Sequence, residues 1–128
     1  MRQYEVWQAH LPEPIGSRPV LLLSRDAAYD YLSRVLVVEI TTTMRDIPVE
    51  VPLGRGEGLS RRSVANFDNL HAIPKARLGE RLGALPAARI PEAKRALGFA
   101  LAWSELTSTC ALREVQAENV VQETFQRS

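Results

Sequence analysis

The sequence predicts a mainly β protein: a small barrel with one helix packed on it toward the C-terminus. Short apolar or alternating segments, several rich in β-branched residues, follow one another over the first two thirds of the chain, with connections too short for βαβ crossovers. Helical spacing of apolar side chains begins only near Ala87. A chain of 128 residues, 45% hydrophobic, can bury one core but is too short for two.

Tyr4 to Ala9 alternates apolar with polar residues, the period-two pattern of a strand with one buried face. Two prolines and a glycine in Leu11 to Ser17 make the next segment a loop. Pro19 to Ser24 is continuously apolar up to its last residue, as expected of a short strand covered on both faces. Ser24-Arg25-Asp26 can cap a helical turn running through Ala28, Tyr29 and Leu32. Arg34 to Thr41 is the clearest strand, since branching at Cβ suits a strand better than a helix.

Ile47 to Val51, beside Pro48 and Pro52, is expected at a sheet edge, and Gly54 to Gly58 is expected to be a flexible loop. Ser63 to Asn66 and Leu70 to Ile73 read as two short strands around Phe67-Asp68-Asn69, and Leu78 to Leu82 as a strand or turn. Ile90, Ala93, Leu97, Ala100 and Leu101 then define an amphipathic helix with Pro91 in its first turn, expected to end beyond Trp103. Residues 1–103 form the domain, and 104–128 a polar extension that is either a second helix or a mobile tail.

Composition narrows the function. Lys plus Arg number 16 and Asp plus Glu 15, a net charge of +1, so the total does not suggest a bulk polyanion binder. The order of the charges qualifies this: Glu105, Glu114, Glu118 and Glu123 lie beyond Trp103, whereas Arg18, Arg55, Arg61 and Arg62 fall in the predicted barrel loops. One cysteine, Cys110, gives no internal disulfide, and His10 and His71 form no zinc pattern. No metal and no cofactor are expected. No apolar run reaches the roughly 18 to 20 residues of a membrane span, and the first residues lack a signal-peptide pattern, so a soluble cytoplasmic protein is expected.

Four groups of residues could carry chemistry, each with a plainer alternative. Arg18, after Gly16-Ser17 and at the entrance of a buried strand, can present its fork of donors to a phosphate, or simply end a loop. Thr41-Thr42-Thr43 can bond phosphate or ribose oxygens, or satisfy turn amides. Asp68, in Asn66-Phe67-Asp68-Asn69, can orient an arginine or accept a proton, or serve only its turn; nearby His71 is a base or a packed residue. Arg55, Arg61 and Arg62, with Lys75 and Arg77 later, suit a phosphate backbone or a solvated loop.

The motifs also occur in a familiar order: Glu5-Val6-Trp7, then Pro and Gly, Arg18-Pro19-Val20-Leu21, an aliphatic strand ending Ile40-Thr41, Ser63-Val64, Asp68-Asn69, Arg77-Leu78-Gly79 and a final helix. In this order the chain resembles the MazF/PemK family of bacterial toxins from Tyr4 to Trp103. The resemblance implies an SH3-like β-barrel with helices, acting as a homodimer. It implies a sequence-specific endoribonuclease that cuts single-stranded RNA without metal, leaves a 2′,3′-cyclic phosphate, arrests translation and is inhibited by a cognate MazE-like antitoxin. Carried over by position, Arg18 and Thr41 match the catalytic arginine and threonine, and Asp68 the acidic position near the cleft. Ser17, Thr42, Arg55, Arg61, Arg62, Asn66 and His71 are the expected RNA contacts.

The chain departs from the family in three places. Gly16-Ser17 abuts Arg18 where members usually carry a longer loop, His71 stands where several carry arginine, and the segment from Ser104 exceeds the usual end. The shortened loop suits an alternative: a related toxin, similar to CcdB, that binds DNA gyrase instead of cutting RNA. An inactive SH3-like interaction module is a further alternative.

Overall fold

The computed structural model describes residues 1–107 of the chain. Six strands, β1 (Glu5–His10), β2 (Ser17–Leu22), β3 (Arg34–Thr41), β4 (Glu50–Leu53), β5 (Ser63–Pro74) and β6 (Leu78–Ala84), form one antiparallel sheet in the order β4-β5-β3-β2-β1-β6. Helices α1 (Ala28–Tyr31), α2 (Ile90–Ala100) and α3 (Ser104–Thr107) complete the described fold. Among the described residues no helix is long and apolar enough to cross a membrane.

Both faces of the central strands are buried, and strand alternation sorts their side chains into two apolar layers. Val6, Leu21, Val38, Ile40, Ala65 and Phe67 point into one layer, closed by Ala93 and Ala96 of α2. Ala9, Val20, Leu22, Val35, Val37 and Ile73 point into the other, with Leu11, Tyr29, Leu78 and Trp7 around them. At roughly 1.5–3 kcal/mol per large apolar side chain buried, these layers are the main stabilising term. β2 is thus covered on both sides, as its continuous apolar run predicted. β1 is not the one-faced strand that its alternation suggested: Val6 enters the first layer, and Trp7 and Ala9 the second.

The predicted pair of short strands at 63–66 and 70–73 is one strand, β5, with a sharp irregularity. Val38 pairs with Leu70 and Ile40 with Ala65, so two steps along β3 face five along β5, and the excess arches outward at Asp68 and Asn69. β4 is an edge strand as expected, but it begins at Glu50. The Glu50 carboxylate accepts hydrogen bonds from the amides of Arg45 and Asp46, which holds the preceding residues in a turn. Ser24 does not cap α1; its hydroxyl accepts from the Leu36 amide instead.

Gly54 to Gly58 is anchored, not flexible. Its Arg55–Glu57 segment is a 3-10 turn, and buried Glu57 accepts from the Gly54 amide at 2.7 Å and from Arg89 at 3.2 Å. This turn lies flat on β6: a Cβ at Gly58, where φ is +94°, would sit 2.0 Å from the Leu82 carbonyl oxygen, and one at Gly83 would sit 2.2 Å from that of Glu57. The two ends of the curled sheet therefore meet through backbone contact between this turn and β6.

Arg89 also bonds Glu92 in the first turn of α2 and the Pro52 carbonyl, tying the helix start to β4. The helix ends at Ala100 and not beyond Trp103. The Ala102 amide donates to the Phe99 carbonyl and the Trp103 amide to that of Gly98, with Ala102 at φ +54°, which is a Schellman stop. That left-handed position is normally glycine, and alanine there costs of order 1 kcal/mol. Ala102→Gly is therefore expected to stabilise the protein by up to about 1 kcal/mol, read as a higher urea midpoint with an unchanged slope.

Two carboxylates make the fold acid-sensitive. Burial alone pushes the Glu5 carboxyl up, but hydrogen bonds from Trp7, Arg81 and the Arg2 amide, with the charge of Arg81, hold it below the ordinary 4.5. The hydrogen bond from Arg89 holds Glu92 below the same value, against partial burial. A carboxyl lowered in the folded state contributes stability that is complete above its unfolded value and is lost as pH falls through the folded one. Unfolding midpoints are therefore expected to fall on acidification below about pH 4.5, with a shallower fall in Glu92→Gln.

Candidate active site

The second apolar layer ends in a polar cluster. On β3, Val35, Val37, Glu39 and Thr41 share one face by alternation, the first two apolar and the last two polar. Val20 of β2 pairs with Glu39, so Arg18, two residues earlier on the same face, lies toward Thr41. His71 of β5 pairs with Val37 and is thus a diagonal neighbour of Glu39.

Glu39 joins these strands. It is 6% exposed, and each carboxylate oxygen has a partner: Oε1 accepts from Arg18 Nη1 at 3.2 Å, and Oε2 is hydrogen-bonded to His71 Nε2. The partners face outward, with side chains 34% exposed for Arg18 and 37% for His71. A guanidinium has five N–H donors, so the bond to Glu39 leaves others for a ligand. Thr41 is half-buried, and its hydroxyl oxygen accepts from the Thr43 amide at 3.1 Å, which leaves its hydrogen able to donate.

His71 also lines a groove of about 420 Å³ between the Leu11–Ile15 connection and the segment from Ala72 to Arg77. Arg34 and Arg77 line it too, and each bonds a carbonyl oxygen: Arg34 that of Ala72 at 2.6 Å, Arg77 that of His10 at 3.0 Å. Neither is paired with a carboxylate among the described residues, so both keep their charge toward the groove. Glu13 is the acidic residue on the groove wall.

The remaining candidates are dispersed. Ser17 lies on the face opposite Arg18, where its hydroxyl accepts from Gln8 at 2.8 Å and is 3.5 Å from His10. Asp68 is exposed on the arch of β5; its amide donates to buried Asn66 Oδ1 at 2.9 Å, and its carboxylate bonds neither Arg18 nor His71. Thr42 is exposed beyond Thr41. Arg61 and Arg62 are exposed just before Val64, the partner of Thr41, and Arg55 is exposed on the anchored turn.

Glu39 and Arg34 are the site residues that motif reading missed. Glu39 carried a signal: a charge inside an otherwise apolar, β-branched run is buried only with partners, so its place in the strand implies a cation nearby. Arg34 carried none, because its place on the groove depends on the β3–β5 pairing.

A six-stranded antiparallel half-barrel packed on a C-terminal helix is the architecture of a small toxin fold. Residues 2–101 match the family described as PemK-like, MazF-like toxin of type II toxin-antitoxin system, and the chain belongs to that family. It is 38% identical over 96 residues to Endoribonuclease MazF3 of Mycobacterium tuberculosis, covering 73% of this chain and 93% of that protein. Its fold is similar to the Mycobacterium tuberculosis toxin MazF-mt6, with a TM-score of 0.72 and 37% identity over 77% of this chain and 96% of the other. It is also similar to an endoribonuclease solved in complex with its cognate antitoxin from Mycobacterial species, with a TM-score of 0.69 and 29% identity over 80% and 95% of the two chains.

Proposed function

We propose that the cluster of Arg18, Thr41 and His71 is where this chain, an endoribonuclease of the toxin family, cuts single-stranded RNA at a preferred sequence in the cytoplasm. The observation that carries the reading is the outward-facing guanidinium of Arg18, held from behind by buried Glu39 beside the half-buried Thr41 hydroxyl. Cleavage by the 2′-hydroxyl requires that oxygen in line with the scissile bond and donors aimed at the charge growing on phosphorus. Arg18 supplies a charged fork and Thr41 a neutral donor for that charge, and the products end in a 2′,3′-cyclic phosphate and a 5′-hydroxyl. Asp68 on the arch of β5 and the exposed Thr42, Arg55, Arg61 and Arg62 contact the flanking nucleotides in this reading, whereas Ser17, on the face opposite Arg18, and Asn66, buried and bonded to the Asp68 amide, do not.

Full-length protein is expected to cut mixed-sequence RNA in EDTA. Arg18→Ala and Thr41→Ala, folded by circular dichroism, each lose about 10²- to 10³-fold in rate. Intact RNA after incubation with folded wild-type protein overturns the reading, and gyrase inhibition without cleavage would put the chain with the gyrase-binding toxins.

The same reading makes the protein a homodimer whose toxicity is held in check by a MazE-like antitoxin. Residues 1–103 are the toxin domain in it, and 104–128 an extension to that domain. Light scattering is expected to give twice the chain mass, and co-expression with an antitoxin, encoded in a small adjacent reading frame, is expected to restore growth; a monomeric mass counts against the dimer.

A further inference from the structure

We propose that His71 is the general acid that protonates the leaving 5′-oxygen, and that Glu39 is the positioning residue that presents it. This inference rests on the reading of the site as an RNA-cleaving one.

Three observations carry it. Glu39 is 6% exposed and both its oxygens are engaged, one by Arg18 and one by His71, so a single buried carboxylate fixes a phosphate-binding group and a proton-carrying group relative to each other. His71 at the same time forms part of the groove wall, where Arg34 and Arg77 supply positive charge and Glu13 a negative one. The other members of the cluster are unsuited to the task. A guanidinium stays protonated throughout, a threonine hydroxyl is too weak an acid, and the Asp68 carboxylate is out on the arch with no bond to the cluster. Imidazole is the side chain that both gives and takes a proton near neutrality.

The contact with Glu39 also settles which nitrogen works. An ionised carboxylate only accepts, so the ring keeps a hydrogen on Nε2 and exchanges its proton through Nδ1. In the cleavage step the 2′-oxygen to phosphorus bond forms and the phosphorus to 5′-oxygen bond breaks. The 2′-hydroxyl proton leaves to solvent water, and the 5′-oxygen takes the Nδ1 proton of the doubly protonated ring. The ring is left neutral with its hydrogen on Nε2 against Glu39, and water reprotonates Nδ1 before the next turnover. The arrangement follows the logic of a carboxylate that orients a histidine without itself changing protonation.

The test uses full-length protein. A mixed-sequence RNA digested by the wild type supplies a cut site, which is then synthesised twice, once with the natural 5′-oxygen and once with sulfur at that bridging position. A thiolate leaves without a proton, so only the oxygen substrate needs the acid. His71→Gln is expected to slow cleavage of the oxygen substrate by about 10²- to 10⁴-fold and of the sulfur substrate by less than about threefold. Glu39→Gln, folded by its thermal midpoint, also loosens Arg18, so it is expected to lose at least about tenfold on oxygen and to recover part of that loss, by at least about threefold relative to wild type, on sulfur. Glu39→Asp, which keeps the charge, replaces it if the glutamine variant does not fold.

Equal losses on both substrates make His71 a phosphate contact or a base and overturn the proposal, as does full activity of His71→Gln on oxygen. Loss in the Glu39 variant without recovery on sulfur assigns Glu39 a structural role only and overturns that half. If wild-type protein cuts no RNA, the parent reading falls and takes this one with it; if wild type cuts while the variants show no difference between oxygen and sulfur, this one falls alone.

Discussion

A carboxylate buried at the end of an apolar face is the constraint on which the site depends. Glu39 stands on β3 just past Val35 and Val37, in a position where an unpaired charge would be prohibitively costly. Its two oxygens draw Arg18 from β2 and His71 from β5, so one residue links three neighbouring strands through side chains as well as through the backbone ladder. Removing one partner of a fully buried ion pair typically costs about 3–5 kcal/mol, but a third of the Arg18 side chain meets solvent, so the cost here lies below that range. The arrangement does more for geometry than for stability. It holds two functional groups at a fixed spacing that neither would keep as a free surface side chain.

That spacing is only as rigid as the sheet beneath it. β2 and β3 are neighbouring central strands, buried on both faces from Val37 to Ile40 of β3, and their register puts Val20 against Glu39. Beyond them the sheet curls and closes where the anchored turn at 54–58 meets β6. Arg89 holds that turn to the start of α2 through Glu57, Pro52 and Glu92. The fold therefore stabilises the cluster from two sides, so that, in the role proposed for them, Arg18 and His71 are already in place before substrate binds.

The parts of the fold legible in the sequence were those set by local pattern. The β-branched run of β3, the continuous apolar run of β2 and the Pro91 start of α2 each report their own environment; β3 and the helix start lie where the pattern puts them, and β2 is covered on both faces as expected but runs Ser17–Leu22, two residues earlier than its apolar run. The misreadings involve partners distant in the chain or an unusual residue. Gly54 to Gly58 looked flexible because its anchor, Arg89, lies 32 residues after Glu57. β5 looked like two strands because its arch is defined only by pairing with β3. The end of α2 was overrun because alanine, not glycine, occupies the left-handed stop. In the site, Arg18 and Thr41 could be singled out from motif order, but the link from Arg18 to His71 could not. It passes through Glu39, which in sequence looks like one polar interruption of a strand.

The charge total illustrates the same separation between composition and arrangement. A net charge of +1 says little, because what matters is which charges are already neutralised. Away from the groove, two arginines are neutralised by carboxylates: Arg81 bonds Glu5, and Arg89 bonds Glu57 and Glu92. On the groove wall, Arg34 and Arg77 are held by carbonyl oxygens, which fix the side chain without cancelling its charge. Glu13 and Glu39 moderate the local field, but Glu39 is shared by Arg18 and His71 and offsets at most one of them. A nearly neutral chain can thus carry a locally positive groove, because the groove arginines are held by neutral partners that leave their charge uncancelled.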